Sequence, residues 1–220
     1  MSTSTFTLDE FQTAACCVEQ IRSAGDNQRE SKYSVKERQS LAFRYPQLLS
    51  ADKRLLAELP IGVAPEAYKQ RLRWYESNWD RWAQFTSPAE THAVVVGDFL
   101  QDVISKRFES PLSCSLIASG APPESGVWNT HAVMAVATMD ALSEQYNKSV
   151  NAAYIEYPAY GVIRPVHRTK ANETSYLRTR DALIKSDSKR SMLQKTPGCE
   201  ECSQSCHEYT SRTKITAVGD

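Results

Sequence analysis

The stretch Asn129-Thr130-His131-Ala132-Val133-Met134 decides how we interpret this chain, because it begins an apolar helix and carries a histidine in the first turn. Thr130 is a typical N-cap residue, and the apolar residues that follow cover most of the helix circumference, which indicates packing on several sides. The apolar runs 112–119 and 150–157, before and after the helix, have the length and the bounding turn residues of buried strands. Strand, helix and strand in this order predict a layered α/β sheet.

The first half of the chain is predicted to be helical. Capping residues and apolar periodicity predict five helices, from Thr7 to about Gly25, Ser34 to about Tyr45, Ser50 to about Leu59, Pro65 to about Phe85, and Ser87 to about Phe108. We therefore expect an α-helical N-terminal region over residues 1–110 and an α/β domain over residues 111–220.

Composition limits the expected partners and location. Acidic and basic residues balance to a formal net charge of +0, so the global charge favours neither nucleic acid nor an acidic partner. The apolar runs are far shorter than the ~20 residues that span a bilayer, and we expect no membrane contact. Residues 1–5 lack the basic and apolar regions of a secretory signal. These features predict an intracellular protein, cytoplasmic or nuclear.

Residues 162–195 depart from this balance, because they are rich in basic side chains and poor in acids. A helix from Thr174 to about Lys185 fits the middle of this basic segment. We expect the segment to bind nucleotides or nucleic acid weakly and without sequence choice, since its charges are not offset locally. The candidate contacts are Arg164, Arg168, Lys170, Arg178 and Arg180. The alternative interpretation is a solvated charged face.

The helix predicted over 65–85 offers a second basic and aromatic surface. Its aromatic side chains could stack on bases, with Arg71, Arg73 and Arg81 meeting phosphates. The spacing of three and four between Leu72, Tyr75 and the later aromatics is typical of a buried stripe, so we expect most of them to be core.

A cysteine cluster lies near the end of the chain, Gly198-Cys199-Glu200-Glu201-Cys202-Ser203-Gln204-Ser205-Cys206-His207. Cysteine and histidine at such short spacings are typical zinc ligands, and a reducing compartment disfavours disulfides. Two of these cysteines with one distant histidine would leave the fourth position on the zinc open. If Cys206 or His207 completed the tetrahedron, the site would be structural. Unliganded thiols and a redox or partner disulfide remain alternatives.

The histidine at the start of one helix, followed later by Cys-x-x-Cys, resembles the zinc-dependent cytidine/nucleotide deaminase superfamily, whose signature is H-x-E followed by P-C-x-x-C. The resemblance implies a small three-layer α/β sheet over roughly residues 112–218, behind an N-terminal helical extension. It implies zinc bound by His131, Cys199 and Cys202 at the starts of two helices. For His131, a hydrogen-bonded core histidine is the alternative.

The chain departs from the deaminase signature at the residue that moves the proton. Val133 stands where the family has its catalytic glutamate, and Gly198 stands where it has proline. The interval between His131 and Cys199, roughly 70 residues, exceeds the family's usual spacing and implies that the basic segment is an insertion. A valine cannot act as a general acid or base, which should lower the rate by a factor of ~10²–10⁴ or more.

We therefore expect a zinc-binding, deaminase-like domain that is catalytically weak or inactive and works as a nucleotide or nucleic-acid binding or interaction module. An active deaminase, that is, a zinc-dependent hydrolase acting on a nucleobase or nucleotide, is one alternative. A structural or assembly protein without enzymatic activity is the other.

Overall fold

The computed structural model describes residues 5–19 and 33–187 of the chain. Five strands form one mixed sheet in chain order: β1 Glu90–Val96, β2 Gln101–Glu109, β3 Leu112–Ile117, β4 Ala152–Tyr157 and β5 Val162–His167. Strands β1, β2 and β3 form an antiparallel meander, β4 runs parallel to β3, and β5 runs antiparallel to β4. The prediction of a mixed α/β protein is confirmed.

The described helices are α1 Leu8–Glu19, α2 Val35–Ser40, α3 Tyr45–Ser50, α4 Lys53–Ala57, α5 Pro65–Asn78, α6 Trp82–Thr86, α7 Asn129–Tyr146 and α8 Lys170–Asp187. Leu41–Phe43 and Pro158–Tyr160 form short 3-10 turns. Capping boxes form at the starts predicted for the first two helices, since the Glu10 carboxylate accepts a hydrogen bond from the Thr7 N–H and the Glu37 carboxylate accepts one from the Ser34 N–H. None of these helices is long and apolar enough to cross a bilayer.

The sheet separates two hydrophobic cores. Alternate residues along β4 belong to different cores, with Ala153 and Ile155 in one and Tyr154 in the other. Helices α1, α7 and α8 pack in the first core, and helices α3 to α6 contribute to the second. Helix α7 connects β3 to β4 and is buried almost all the way round, as its sequence predicts.

The helix predicted from Ser87 to Phe108 is wrong, because this segment forms the β1–β2 hairpin. The segment does begin with residues typical of a helix start. The β-branched Val94, Val95 and Val96 and the alternation of apolar and polar residues in β2 nevertheless favour extended backbone. Gly97 lies just after β1, where a Cβ atom would come within 2.7 Å of the Ala141 backbone in α7. The hairpin therefore needs glycine for its close approach to α7.

One further prediction needs correction. The helix predicted over 65–85 is broken, because α5 ends at Asn78 and α6 begins only at Trp82. In the basic segment, β5 completes the sheet as an edge strand and α8 packs against α1 and α7. Pro165 is tolerated in β5 because an edge strand has one free side.

The sheet also continues across the domain boundary expected at residue 110, since β1 and β2 pair directly with β3. The helix predicted from Thr174 to Lys185 is present and begins earlier, at Lys170. The sequence also predicts a short strand over residues 214–218, which lies outside the described residues.

Candidate functional site

Strands β3 and β4 run parallel and end side by side at Ile117 and Tyr157. In α/β sheets, ligands commonly bind in the crevice outside the carboxyl ends of parallel strands. The loop 118–128, the amino-terminal end of α7 and the start of β5 lie at this end of the sheet. We call this place the carboxyl-end crevice and define it by Arg71, Trp74, Tyr75, Trp128, His131, Tyr157 and Arg164.

Helix α5 is held against one side of the crevice by hydrogen bonds to backbone atoms of residues 158–163. The Tyr68 hydroxyl donates to the Pro158 carbonyl over 2.8 Å, and Arg71 donates to the Tyr160 carbonyl over 2.8 Å. The Tyr75 hydroxyl accepts from the Ile163 N–H and donates to its carbonyl, both over 2.9 Å. Tyr75 thus occupies part of the free edge of β5 and fixes the position of α5 against that strand.

A shallow pocket of about 270 Å³ opens between α5 and β5, lined by Arg71, Trp74, Tyr75, Gly161, Val162 and Arg164. Trp74 is 57% exposed, although large aromatic side chains are usually buried. Gly161 has φ of +59°, which lets the chain turn sharply from β4 into β5 beside the pocket.

The two arginines of the pocket bind only neutral groups among the described residues. Arg71 donates to the Tyr160 carbonyl, and Arg164 donates to the Glu124 carbonyl over 3.2 Å. Neither forms an ion pair with a carboxylate in the described part of the chain. Burial raises the pKa of Tyr75, and the charges of Arg164 and Arg71 partly oppose that rise. The pocket is therefore electropositive.

His131 lies in the first turn of α7, as its sequence predicts, and its Nδ1 is 3.0 Å from the Tyr157 hydroxyl. Burial lowers the pKa of His131 to about 4, so the ring is neutral at pH 7. Burial raises the pKa of Tyr157 to about 12, while a hydrogen bond from the Trp128 backbone and the charge of Arg164 act in the opposite direction. The hydrogen bond to Tyr157 gives a ring nitrogen of His131 a partner within the protein, as expected for a core histidine.

The remaining basic residues named from the sequence are divided between paired and exposed positions. Arg168 forms an ion pair with Asp140 over 2.8 Å, and Arg180 pairs with Asp181 over 3.0 Å and lies over the Phe99 ring. Lys170 and Arg178 are exposed on α8. The expectation that these charges are not offset locally is therefore wrong for Arg168 and Arg180.

Of the predicted metal ligands, His131 alone lies among the described residues. Cys199, Cys202, Cys206 and His207 lie outside the residues that the structure describes. Within residues 5–19 and 33–187, no three His, Cys, Asp or Glu side chains are grouped as they would be around a metal ion. Val133, two residues after His131, is fully buried in the first core.

A second group of charged side chains lies between the sheet and helices α3 to α6. Lys106 on β2 and Glu156 on β4 form an ion pair of 2.9 Å in which both side chains are 0% exposed. The Lys106 ammonium also donates to the carbonyls of Ala42 over 2.7 Å and Phe85 over 3.0 Å. Ser115, on the strand between them, donates to the other Glu156 oxygen over 2.6 Å.

This buried pair has the properties of a structural element. All three Lys106 donors are used, and the rings of Phe43, Tyr45 and Phe85 surround the ammonium at 5.1 to 5.7 Å. Burial lowers the pKa of Lys106, and the Glu156 carboxylate opposes that shift. The Lys106 hydrogen bonds to the Ala42 and Phe85 carbonyls link the helical layer to the sheet. Because neither side chain of the pair is exposed to solvent, the pair cannot contact a ligand.

We find no protein-family model that matches this chain, and no curated protein to which its sequence is significantly similar. Functional inference therefore rests on the geometry and chemistry of the site.

Proposed function

We propose that this protein binds nucleotides or nucleic acid at the carboxyl-end crevice. The observation that carries the proposal is the exposed indole of Trp74 in a pocket with Arg71 and Arg164, two guanidinium groups with no carboxylate partner among the described residues. An exposed aromatic face binds a planar base, and unpaired arginines bind phosphate oxygens.

The surroundings of the pocket favour an anionic ligand. Helix α7 has 18 residues, and its amino-terminal end, which carries a partial positive charge, lies at the crevice. The α7 N-cap residue, Trp128, makes no side-chain capping bond to the first turn. Because α5 is already fixed by Tyr68, Arg71 and Tyr75, little conformational freedom is lost when a ligand binds.

The test is the binding of a fluorescein-labelled dT10 strand to the full chain at low salt, measured by anisotropy. Trp74→Ala should weaken binding by about 1–3 kcal/mol, the usual contribution of one base stacked on an aromatic ring. Arg73→Gln is the matched control, because Arg73 is exposed on the same helix and does not line the pocket. Equal losses for Trp74→Ala and Arg73→Gln, or no binding by the native chain, would contradict the proposal.

Competition with free thymidine monophosphate separates the two sources of this ligand chemistry. A nucleotide-binding site predicts displacement of the strand at concentrations near those at which the strand itself binds. A site for nucleic acid predicts that a large excess of monophosphate is needed.

A deaminase-like zinc site is a second candidate function, favoured by the location of His131 in the first turn of a helix that follows one strand and precedes its parallel neighbour. In this proposal His131, Cys199 and Cys202 hold zinc in a deaminase-like sheet, and Cys206 and His207 are the alternative ligands. Because Val133 is apolar, the site would bind a base without deaminating it. His131→Ala should then lower the zinc content measured by elemental analysis, and an unchanged content would exclude His131 as a ligand.

A further inference from the structure

We infer that the carboxyl-end crevice takes a single strand of at least two nucleotides, with one base on Trp74, a second base on Trp128, and the phosphate between them at Arg164. This inference rests on the proposed function and makes it specific, since it selects a strand over a free nucleotide. It starts from a second exposed tryptophan at the same end of the sheet.

Trp128 is an unusual residue at the position it occupies. It is the N-cap of α7, where a short polar side chain is normally preferred, and it is 44% exposed. Its indole N–H donates to the Ala121 carbonyl over 2.8 Å, which fixes the ring against the loop 118–128. A large aromatic ring that is exposed and fixed provides a stacking surface that loses little side-chain freedom on binding.

Arg164 relates the pocket that contains Trp74 to the loop that holds Trp128. It lines the pocket that contains Trp74, and its Nη2 donates to Glu124 in the loop that also anchors Trp128. The charge of Arg164 also opposes the rise in the pKa of Tyr157, and the Tyr157 hydroxyl accepts a hydrogen bond from the Trp128 backbone. The Arg164 side chain therefore lines the Trp74 pocket and also contacts the loop 118–128, in which the Trp128 ring is anchored.

This alternation of ring, cation and ring suits a nucleic-acid strand. A free nucleotide has one base and needs one stacking surface, whereas successive bases of a strand stack on successive aromatic side chains while cations follow the backbone. The contacts of Arg164 with protein use a backbone carbonyl, and no carboxylate of the described residues neutralises it. Its charge remains available for a phosphate.

The test compares thymidine monophosphate with the strands dT2, dT4 and dT10, with binding to the full chain followed by quenching of tryptophan fluorescence. The native protein should bind dT2 and dT4 clearly more tightly than the monophosphate. Trp128→Ala should weaken dT4 binding by about 5- to 100-fold, so that the ratio of dT4 to monophosphate affinity falls toward one. Trp128→Phe keeps an aromatic ring and should restore most of that ratio.

The outcomes separate this inference from the function on which it rests. If monophosphate and dT4 bind equally well, or if Trp128→Ala leaves their ratio unchanged, the strand inference is overturned while nucleotide binding stands. If neither ligand binds, both fail. If polyglutamate displaces dT4 at an equal charge concentration, the crevice is a general polyanion site and the inference is overturned. A thermal melt of Trp128→Phe that matches the native protein shows that the fold is intact.

Discussion

Two groups of charged side chains in this protein have opposite surroundings. Between the sheet and the second helical layer, Lys106 and Glu156 are fully buried, and each has hydrogen-bonding partners supplied by the protein. At the carboxyl-end crevice, Arg71 and Arg164 are accessible, and the protein provides them only with backbone carbonyls.

This difference in pairing distinguishes charged side chains that stabilise the fold from charged side chains that can bind a ligand. A buried charge requires complete pairing, because each unpaired ion in a low-dielectric interior costs several kcal/mol. An accessible arginine keeps its hydration and needs no partner, so a lack of pairing there leaves donors for a ligand. Variants that change the pairing of a buried charge, or place a new one in a core, test this distinction.

Val133→Glu places a buried carboxyl group where the protein supplies no partner, in contrast to Glu156. Val133 is 0% exposed among apolar neighbours in the first core. We expect a loss of about 5 kcal/mol in the free energy of unfolding, from an unpaired polar group and from overpacking. Urea unfolding monitored by circular dichroism measures it. A variant that keeps native stability and binds zinc would instead favour the deaminase-like site.

Lys106→Met removes one partner of the buried pair and leaves the Glu156 carboxylate buried without a cation. The expected loss of unfolding free energy is about 3–5 kcal/mol. The double variant Lys106→Met with Glu156→Leu removes both charges and should be more stable than Lys106→Met alone. If the double variant were the less stable of the two in urea, the unpaired Glu156 carboxylate would not be the cause of the loss in Lys106→Met.

His131 predicts a specific loss of stability in acid. Its folded pKa of about 4 lies below the ordinary value of 6.5, so the unfolded chain binds more protons between these pH values. Stability present above pH 6.5 is therefore lost as the pH falls toward 4, by about 2–3 kcal/mol at pH 4.5. Native protein and His131→Gln should differ in this pH dependence in urea titrations at pH 7 and 4.5. Parallel curves would show that His131 is not buried as a neutral ring.

The elements that could be predicted from the sequence are those with strong local signals. The capping boxes at Thr7 and Ser34 and the apolar runs of β3 and β4 lead directly to the observed helices and strands. The β1–β2 hairpin was missed because Ser87-Pro88-Ala89-Glu90 resembles a helix start, while the hairpin depends on the pairing of two consecutive strands. Capping residues carry no information about which strands pair.

The candidate site was only partly predictable for a similar reason. His131 and Arg164 were identified as site residues, but Trp74 and Trp128 were not, because exposure depends on which helix face the sheet covers. The ion pair of Lys106 and Glu156 joins residues 50 positions apart, so no sequence spacing indicates it. The spacing of Arg71 and Trp74, three residues apart on one helix, was the available signal for the pocket.

The salt dependence of dT10 binding tests the central distinction most directly. If Arg71 and Arg164 each contact a phosphate, Arg71→Gln and Arg164→Gln should each reduce the slope of log affinity against log salt concentration by roughly 0.7, and Arg73→Gln should leave it unchanged. The native slope should itself be clearly negative, because binding releases counterions from the strand. Slopes that are equal for all four proteins would contradict the assignment of the crevice as the binding site.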